Sequence, residues 1–327
     1  MDDDLLAARY HRFATEEASG RSPLYETLAH AIAEDADILG FLSTLPQAKQ
    51  QPNLLLAAVR HLFGIQPTPA RFRQTLLANA DAVRALMQSR STQTNEPARC
   101  AVLLPVLARL PQPLALIEVG ASAGLCLLPD RYGYDYGRAT LRPQADGAAY
   151  PVFHCAVSDA APLPTSLPRI VWRAGLDLNP LDAADPEEAA WLQTLVWPEQ
   201  AERLRNLQAA LRIAASVKLH LVRGDLLGEA LPALCRAAPK DATLVIFHTA
   251  VLAYVAEASA RAAFAERAAS LADYWISNES PRVFPDIAHH AAAPASAGRF
   301  LLSVNGRPVG WADPHGASLE WIAAPRP

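Results

Sequence analysis

The stretch Glu118-Val-Gly120-Ala-Ser122-Ala-Gly124 concentrates the residue types that do chemistry. Two readings fit it. As G-x-S-x-G behind a strand it is a nucleophile elbow, with Ser122 on a sharp turn and a later histidine such as His315 as its partner. As acidic-x-Gly-x-x-x-Gly it is a ligand loop. Its glycines let the backbone come close to a bound molecule, and a following helix offers free N–H groups. An elbow belongs in mid-sheet, with several strands and an oxyanion loop ahead of it. Here Leu114–Val119 is the first strand of the chain, and no His-Gly-Gly loop precedes it. Glu118 places a carboxyl at the strand tip, which an elbow does not need and an adenosyl site does. A nicotinamide fingerprint is weaker still, because Ser122 stands where G-x-G-x-x-G has its second glycine.

Further segments extend the adenosyl reading, with S-adenosylmethionine as the expected cofactor. Val171-Trp-Arg-Ala-Gly-Leu-Asp177 ends in a carboxylate suited to two ribose hydroxyls. It lies 53 residues after Gly124, against roughly 20 in a compact unit. Asp135, in Tyr134-Asp-Tyr136, is better spaced but has no apolar strand before it, so both stand as candidates. Asp225 and Leu226 follow a third strand, where they would face an adenine. A fourth strand ends at His248, beside the expected reacting centre. A fifth ends near Glu279. His248 is the first candidate for a general base and Glu279 the second. One Asp after a strand is more often a cap or turn former. Four such tips in order, at the strand ends where open α/β sheets bind ligands, say more. Gln93, Asn95 and Glu96, at a helix start just before the first strand, and Tyr132, in a row of alternate tyrosines, are candidates for substrate contact. No metal site is expected: the cysteines are widely spaced, no H-E-x-x-H occurs, and His289–His290 sits in an Ala/Pro-rich stretch.

These residues need a frame to position them. Residues 1–110 read as helices only: Ser22-Pro23 is a helix start, Pro52 opens a helix that Gly64 closes, and Leu24, Leu28 and Ile32 share a face. From 111 to 327 strands alternate with helices, interrupted by a Tyr-, Gly- and Pro-rich insertion at about 132–168. Residues 299–304 and 308–312, joined by Asn305-Gly306, form a hairpin. The expected fold is α/β: a Rossmann-like, doubly wound, mainly parallel sheet with an antiparallel edge hairpin, preceded by an all-helical region serving as a lid.

Composition sets outer limits. With 327 residues, 51% hydrophobic and 19% charged, the chain can bury a large core. A net charge of −4 argues against a nucleic-acid or anionic-membrane binder, which needs a basic face. No apolar run is long enough to span a bilayer, and the acidic start lacks the features of a signal peptide. A cytoplasmic protein with a small-molecule substrate is expected. The sequence does not specify an oligomeric state.

Ser22-Pro-Leu-Tyr25, Pro52-Asn-Leu-Leu-Leu-Ala-Ala58, Gln93-Thr-Asn-Glu96, Glu118–Gly124, Asp130-Arg-Tyr-Gly-Tyr-Asp-Tyr-Gly137, Gly175–Pro180, Leu195-Val-Trp-Pro198, Phe247-His-Thr249 and Trp311-Ala-Asp-Pro-His315 together resemble a bacterial family catalogued as domain of unknown function 2332. The resemblance covers nearly the whole chain. It implies one architectural unit, helical part included, and no particular activity. The strand-tip residues carry a more distant resemblance to class I S-adenosylmethionine methyltransferases, from which Ser122 departs by replacing the middle glycine. That resemblance implies methyl transfer. The alternatives are a Rossmann-like binding protein without chemistry, and a hydrolase using Ser122.

Overall fold

A computed structural model describes residues 3–93, 95–144 and 149–322. The chain divides into two compact units, Met1–Thr94 with Pro186–Arg205, and Asn95–Asp185 with Asn206–Pro327. Residues 95–110 therefore belong with the sheet rather than with the preceding helices. The segment at 186–205 joins the helices. No helix among the described residues is long and apolar enough to cross a membrane.

The first unit holds α1 (Asp3–Arg12), which runs on into a π turn, then α2 (Pro23–Ala33), α3 (Ala36–Ser43), α4 (Pro52–Phe63), α5 (Pro69–Ala78) and α6 (Ala80–Ser89). Their starts are written in the sequence. Ser22, Asp35 and Thr68 each accept a backbone N–H of the turn that follows, and proline opens α2, α4 and α5. The apolar face of α4 packs with Tyr10, Phe13, Tyr25 and Trp191 in one core. Ser22 is wholly buried; its Oγ accepts from Tyr25 N at 3.2 Å and donates to Glu199 Oε2 at 2.7 Å. Ser22→Ala should therefore cost about 2–4 kcal/mol, one cap plus one charge-assisted bond. A urea midpoint unmoved by the substitution would count against both bonds.

The second unit begins with α7 (Cys100–Leu107), buried along its length. Then comes β1 (Leu114–Val119), buried on both faces as a central parallel strand must be. β2 (Gly133–Asp135), β3 (Thr140–Leu141) and β4 (Val152–His154) make a small separate sheet, and β5 (Ala156–Val157) follows. β6 (Ile170–Asp177) leads by way of α8 (Pro186–Thr194), which belongs to the first unit, and α9 (Ala201–Val217) to β7 (His220–Arg223). Next are α10 (Ala230–Ala237), β8 (Thr243–Thr249), α11 (Ala258–Leu271), β9 (Tyr274–Glu279) and α12 (Pro285–His289). The unit closes with β10 (Phe300–Val304), β11 (Arg307–Ala312) and β12 (Ser318–Trp321). The main sheet is large and mostly parallel, in the order β5-β12-β11-β10-β9-β8-β1-β6-β7.

Two expectations are corrected. The hairpin of β10 and β11 does form, around Asn305-Gly306, but it is not an edge: β12 pairs with β11, and β5 with β12. Strands of four and two residues leave no readable periodicity. The glycine loop is not followed by an α-helix but by two short 3-10 turns, Leu125–Leu127 and Pro129–Arg131. Pro129 holds Leu128 out of helical geometry, at φ −116° and ψ 35°.

Candidate functional site

The loop after β1 turns on three left-handed residues, Gly120 at φ +74°, Ser122 at +48° and Gly124 at +70°. Its backbone donors are already used. Gly120 N and Ala121 N donate to Leu176 O, at 2.7 and 3.2 Å. Ser122 N donates to Asp177 Oδ2 at 2.8 Å, Ala123 N to Asn95 Oδ1 at 3.1 Å, and Gly124 N to Ala121 O at 2.6 Å. With those donors engaged and no helix behind it, the loop is not a phosphate cradle. Ligand contacts must come from side chains around it. Asp177 is one: it ends β6, is half-buried, and accepts from Asn179 N through Oδ1 at 2.7 Å. Each carboxylate oxygen can accept a second bond.

Glu118 is 4% exposed, and its Oε2 has no hydrogen-bond partner. Burial pushes its carboxyl well above the usual range, with Cys126 and Asp177 adding to the shift and Arg99 opposing it. A carboxyl whose folded pKa is raised stabilises the fold below its unfolded value, about 4.3, and that stability is lost as pH rises through the folded value. Wild type should lose up to about 1.4 kcal/mol per pH unit in that window, relative to Glu118→Gln, which does not titrate. Parallel stability–pH curves for the two proteins would show that Glu118 is not buried in this way.

Strand pairing sorts the tips onto two faces. Glu118 is in register with Phe247, and Thr249 with Asn278. Alternation then puts Glu118, Phe247, Thr249 and Asn278 on one face. Asn278 is wholly buried, and neither of its amide atoms has a partner. Arg99, 5% exposed, donates to Thr249 O and Oγ1 at 3.2 and 3.3 Å and to Pro314 O at 2.8 Å. Asn95 donates from Nδ2 to Ser122 Oγ at 2.7 Å. Glu96 is buried; its carbonyl accepts from the Cys126 thiol, and its Oε2 lies 3.5 Å from His315 Nδ1. Asn95 and Glu96 thus come to the loop. Gln93 belongs to the helical unit, and Thr94 lies outside the described residues.

His248 and Glu279 fall on the opposite face; His248 is closed off as a base by its bonds, and Glu279 is buried there, its Oε2 without a partner. His248 is wholly buried. Trp275 Nε1 donates to its Nε2 at 3.1 Å, and its Nδ1 pairs with Glu279 Oε1 at 2.8 Å. Phe264 and Phe284 close around the ring, so no lone pair is left for a substrate proton. Tyr132 is likewise no substrate contact: it is wholly buried and donates to Leu125 O at 2.8 Å. Asp135 lies in the small sheet, beside His154 and Gly137 N. Asp225 is an exposed turn former accepting from Leu227 N at 2.8 Å, and Leu226 packs toward the core beneath α10 and α11. Ser122 has the positive φ of an elbow, but the side chain bonded to its Oγ is the Asn95 amide, which donates and cannot take its proton. Among the described residues no group of three His, Cys, Asp or Glu could hold a metal ion.

A family model described as an uncharacterized protein conserved in bacteria, DUF2332, matches residues 7–321. The chain belongs to the DUF2332 family. The match runs through both compact units of this DUF2332 chain and includes every site residue above. No curated protein and no solved structure matches it. Two members of the buried polar cluster, Arg99 and Thr249, are not among the residues expected from sequence, whereas Asn278 falls in the strand end Ser277-Asn278-Glu279, which the sequence places near a substrate. The signal for Thr249 is parity: it sits one position from His248.

Proposed function

We propose that the chain is a Rossmann-like, S-adenosylmethionine-dependent methyltransferase, with its cofactor over the tips of β1 and β6 and its acceptor over β8 and β9. The observation that carries this reading is the partnerless Oε2 of buried Glu118, at the tip of the strand that leads into the glycine loop. A buried carboxyl oxygen left without a partner is costly. The cationic end of the cofactor would supply that partner and draw the proton off. The strand order supports the reading. Numbered by appearance in the large sheet, setting aside two-residue β5, the strands β7-β6-β1-β8-β9 run third, second, first, fourth, fifth, so the order reverses between β1 and β8. Open sheets bind ligands at such a reversal, outside the carboxyl ends of the strands. Asp177 would take the ribose hydroxyls. A cleft of about 510 Å³ beside the loop, lined by Ala123, Pro180, Leu181 and Leu221 together with the charged Asp182 and Lys218, is of a size to take a nucleoside.

When bound, the cofactor supplies an electrophilic methyl group. The protein's part is to position and enclose the reactants. With His248 closed off, the acceptor must bring its own lone pair. The test is ligand-induced stabilisation. Adenosylhomocysteine at about 100 times its dissociation constant should add roughly 2.7 kcal/mol. Asp177→Ala should keep the fold and lose most of that gain, since a charge-assisted bond contributes about 1.5–3 kcal/mol. Wild type unmoved by millimolar adenosylmethionine and adenosylhomocysteine would end the cofactor assignment. An equal gain in Asp177→Ala would pass the ribose role to another residue.

A further inference from the structure

Arg99 is a buried cation whose hydrogen-bond partners are all neutral. Its Nε and Nη1 donate to Pro314 O and to Thr249 O and Oγ1, and no carboxylate of the described residues pairs with it. Glu118 lies near enough for this charge to act on its carboxyl, but no hydrogen bond joins the two, so the guanidinium is only partly compensated. Beside it stands the second anomaly. Thr249, which anchors Arg99, is the register partner of Asn278 on the adjacent strand, and paired parallel strands lie about 4.8 Å apart. Asn278 therefore carries its unpaired donor and acceptor alongside the guanidinium, on the same face as Glu118. Few native side chains are buried with both amide atoms unpaired, and each such case calls for a missing partner.

We infer that Arg99 and Asn278 form a subsite for an α-amino carboxylate. The carboxylate accepts from Arg99 and from Asn278 Nδ2, and the amine donates to Asn278 Oδ1. An ammonium has three donors, so the same amine can also serve Glu118. This inference rests on the methyltransferase reading for one of its two sources of ligand. The group is either the amino-acid end of the cofactor or a separate amino-acid-type acceptor.

The experiment is calorimetry on the full chain with three probes: adenosylhomocysteine, methylthioadenosine, which lacks the amino-acid end, and L-homoserine. Asn278→Leu is the first variant, because it removes the unpaired amide and should fold at least as well as wild type. Arg99→Lys, which keeps the charge and loses the fork, is the second. If Asn278→Leu weakens adenosylhomocysteine about tenfold or more and leaves methylthioadenosine unchanged, the subsite holds the cofactor's tail. If L-homoserine binds wild type already saturated with adenosylhomocysteine, and is lost in the variant, the subsite holds the acceptor. If no adenosyl compound binds wild type, yet L-homoserine does and is lost in the variant, the subsite stands and the cofactor reading falls. If none of the three probes binds wild type, or none binds Asn278→Leu more weakly, the subsite is refuted and the amide is an uncompensated cost of the fold.

Discussion

Glu279→Ala is expected to destabilise the protein by about 3–5 kcal/mol, enough to leave much of it unfolded at 37 °C. The glutamate is 2% exposed, and its Oε1 accepts three bonds: from His248 Nδ1 at 2.8 Å, Val251 N at 2.9 Å and Leu252 N at 3.2 Å. An indole N–H only donates, so the bond from Trp275 makes Nε2 of His248 the bare nitrogen and Nδ1 the one carrying hydrogen. Alanine would strand that hydrogen and two backbone N–H groups, each without water to replace the lost partner. Glu279→Gln, which keeps an accepting oxygen, should lose much less. The two backbone bonds also hold the turn that seats Val251 against Gly120, where an added Cβ would lie 2.2 Å from a Val251 methyl. Adenosylhomocysteine should therefore bind the alanine variant more weakly than the glutamine one, in whatever fraction stays folded. Chemical denaturation followed by circular dichroism gives the first number. A loss below about 1 kcal/mol would mean that the three bonds are not made.

Gly316→Ala should cost at least about 3 kcal/mol. Gly316 has φ +87°, and a Cβ there would lie 2.1 Å from Ala98 O and 2.8 Å from Arg99 N. Backbone atoms cannot swing aside as a side chain does. Left-handed strain of about 1–3 kcal/mol thus adds to an overpacking cost of similar size. Gly64→Ala is the control: its φ is +75°, but nothing lies within 4 Å of the added methyl. With ψ at −173° it lies in a region open to glycine alone, so it should cost about 1–3 kcal/mol, all of it backbone strain. Equal losses in the two variants would remove the close approach at Ala98. If it is real, the substitution also displaces Arg99, and ligand affinity should fall in Gly316→Ala alone.

The tips of β1 and β6 were legible because long apolar runs ending in Glu118-Val-Gly and in Asp177 leave little choice of element or direction. Asn95 was legible as a polar residue before the first strand, and the structure ties it to the loop through two bonds. The error at His248 and Glu279 was one of parity. Both are chemically apt and both end strands, but pairing with β1 puts their neighbours Thr249 and Asn278 on the Glu118 face. Register is fixed by partners far away in sequence, so periodicity within one strand does not reveal which face it presents to another. Arg99 was hidden for a different reason. It looks like any charged residue beside a helix start, and the groups that hold it, Pro314 and Thr249, lie far away in sequence. The small sheet of β2, β3 and β4 takes Tyr132 and Asp135 with it, out of an insertion too irregular to parse.

The pairing of β5 with β12 also bears on synthesis. Ala156 and Val157 meet Ser318 and Leu319, so one side of the sheet waits for a segment made some 160 residues later. Until residue 321 has left the ribosome, β11, which carries Trp311, presents an open row of amides and carbonyls. Exposed edges of that kind recruit other chains. A chain truncated after Asp313 should therefore aggregate rather than lose only the last strand, and should do so more as the nascent-chain concentration rises.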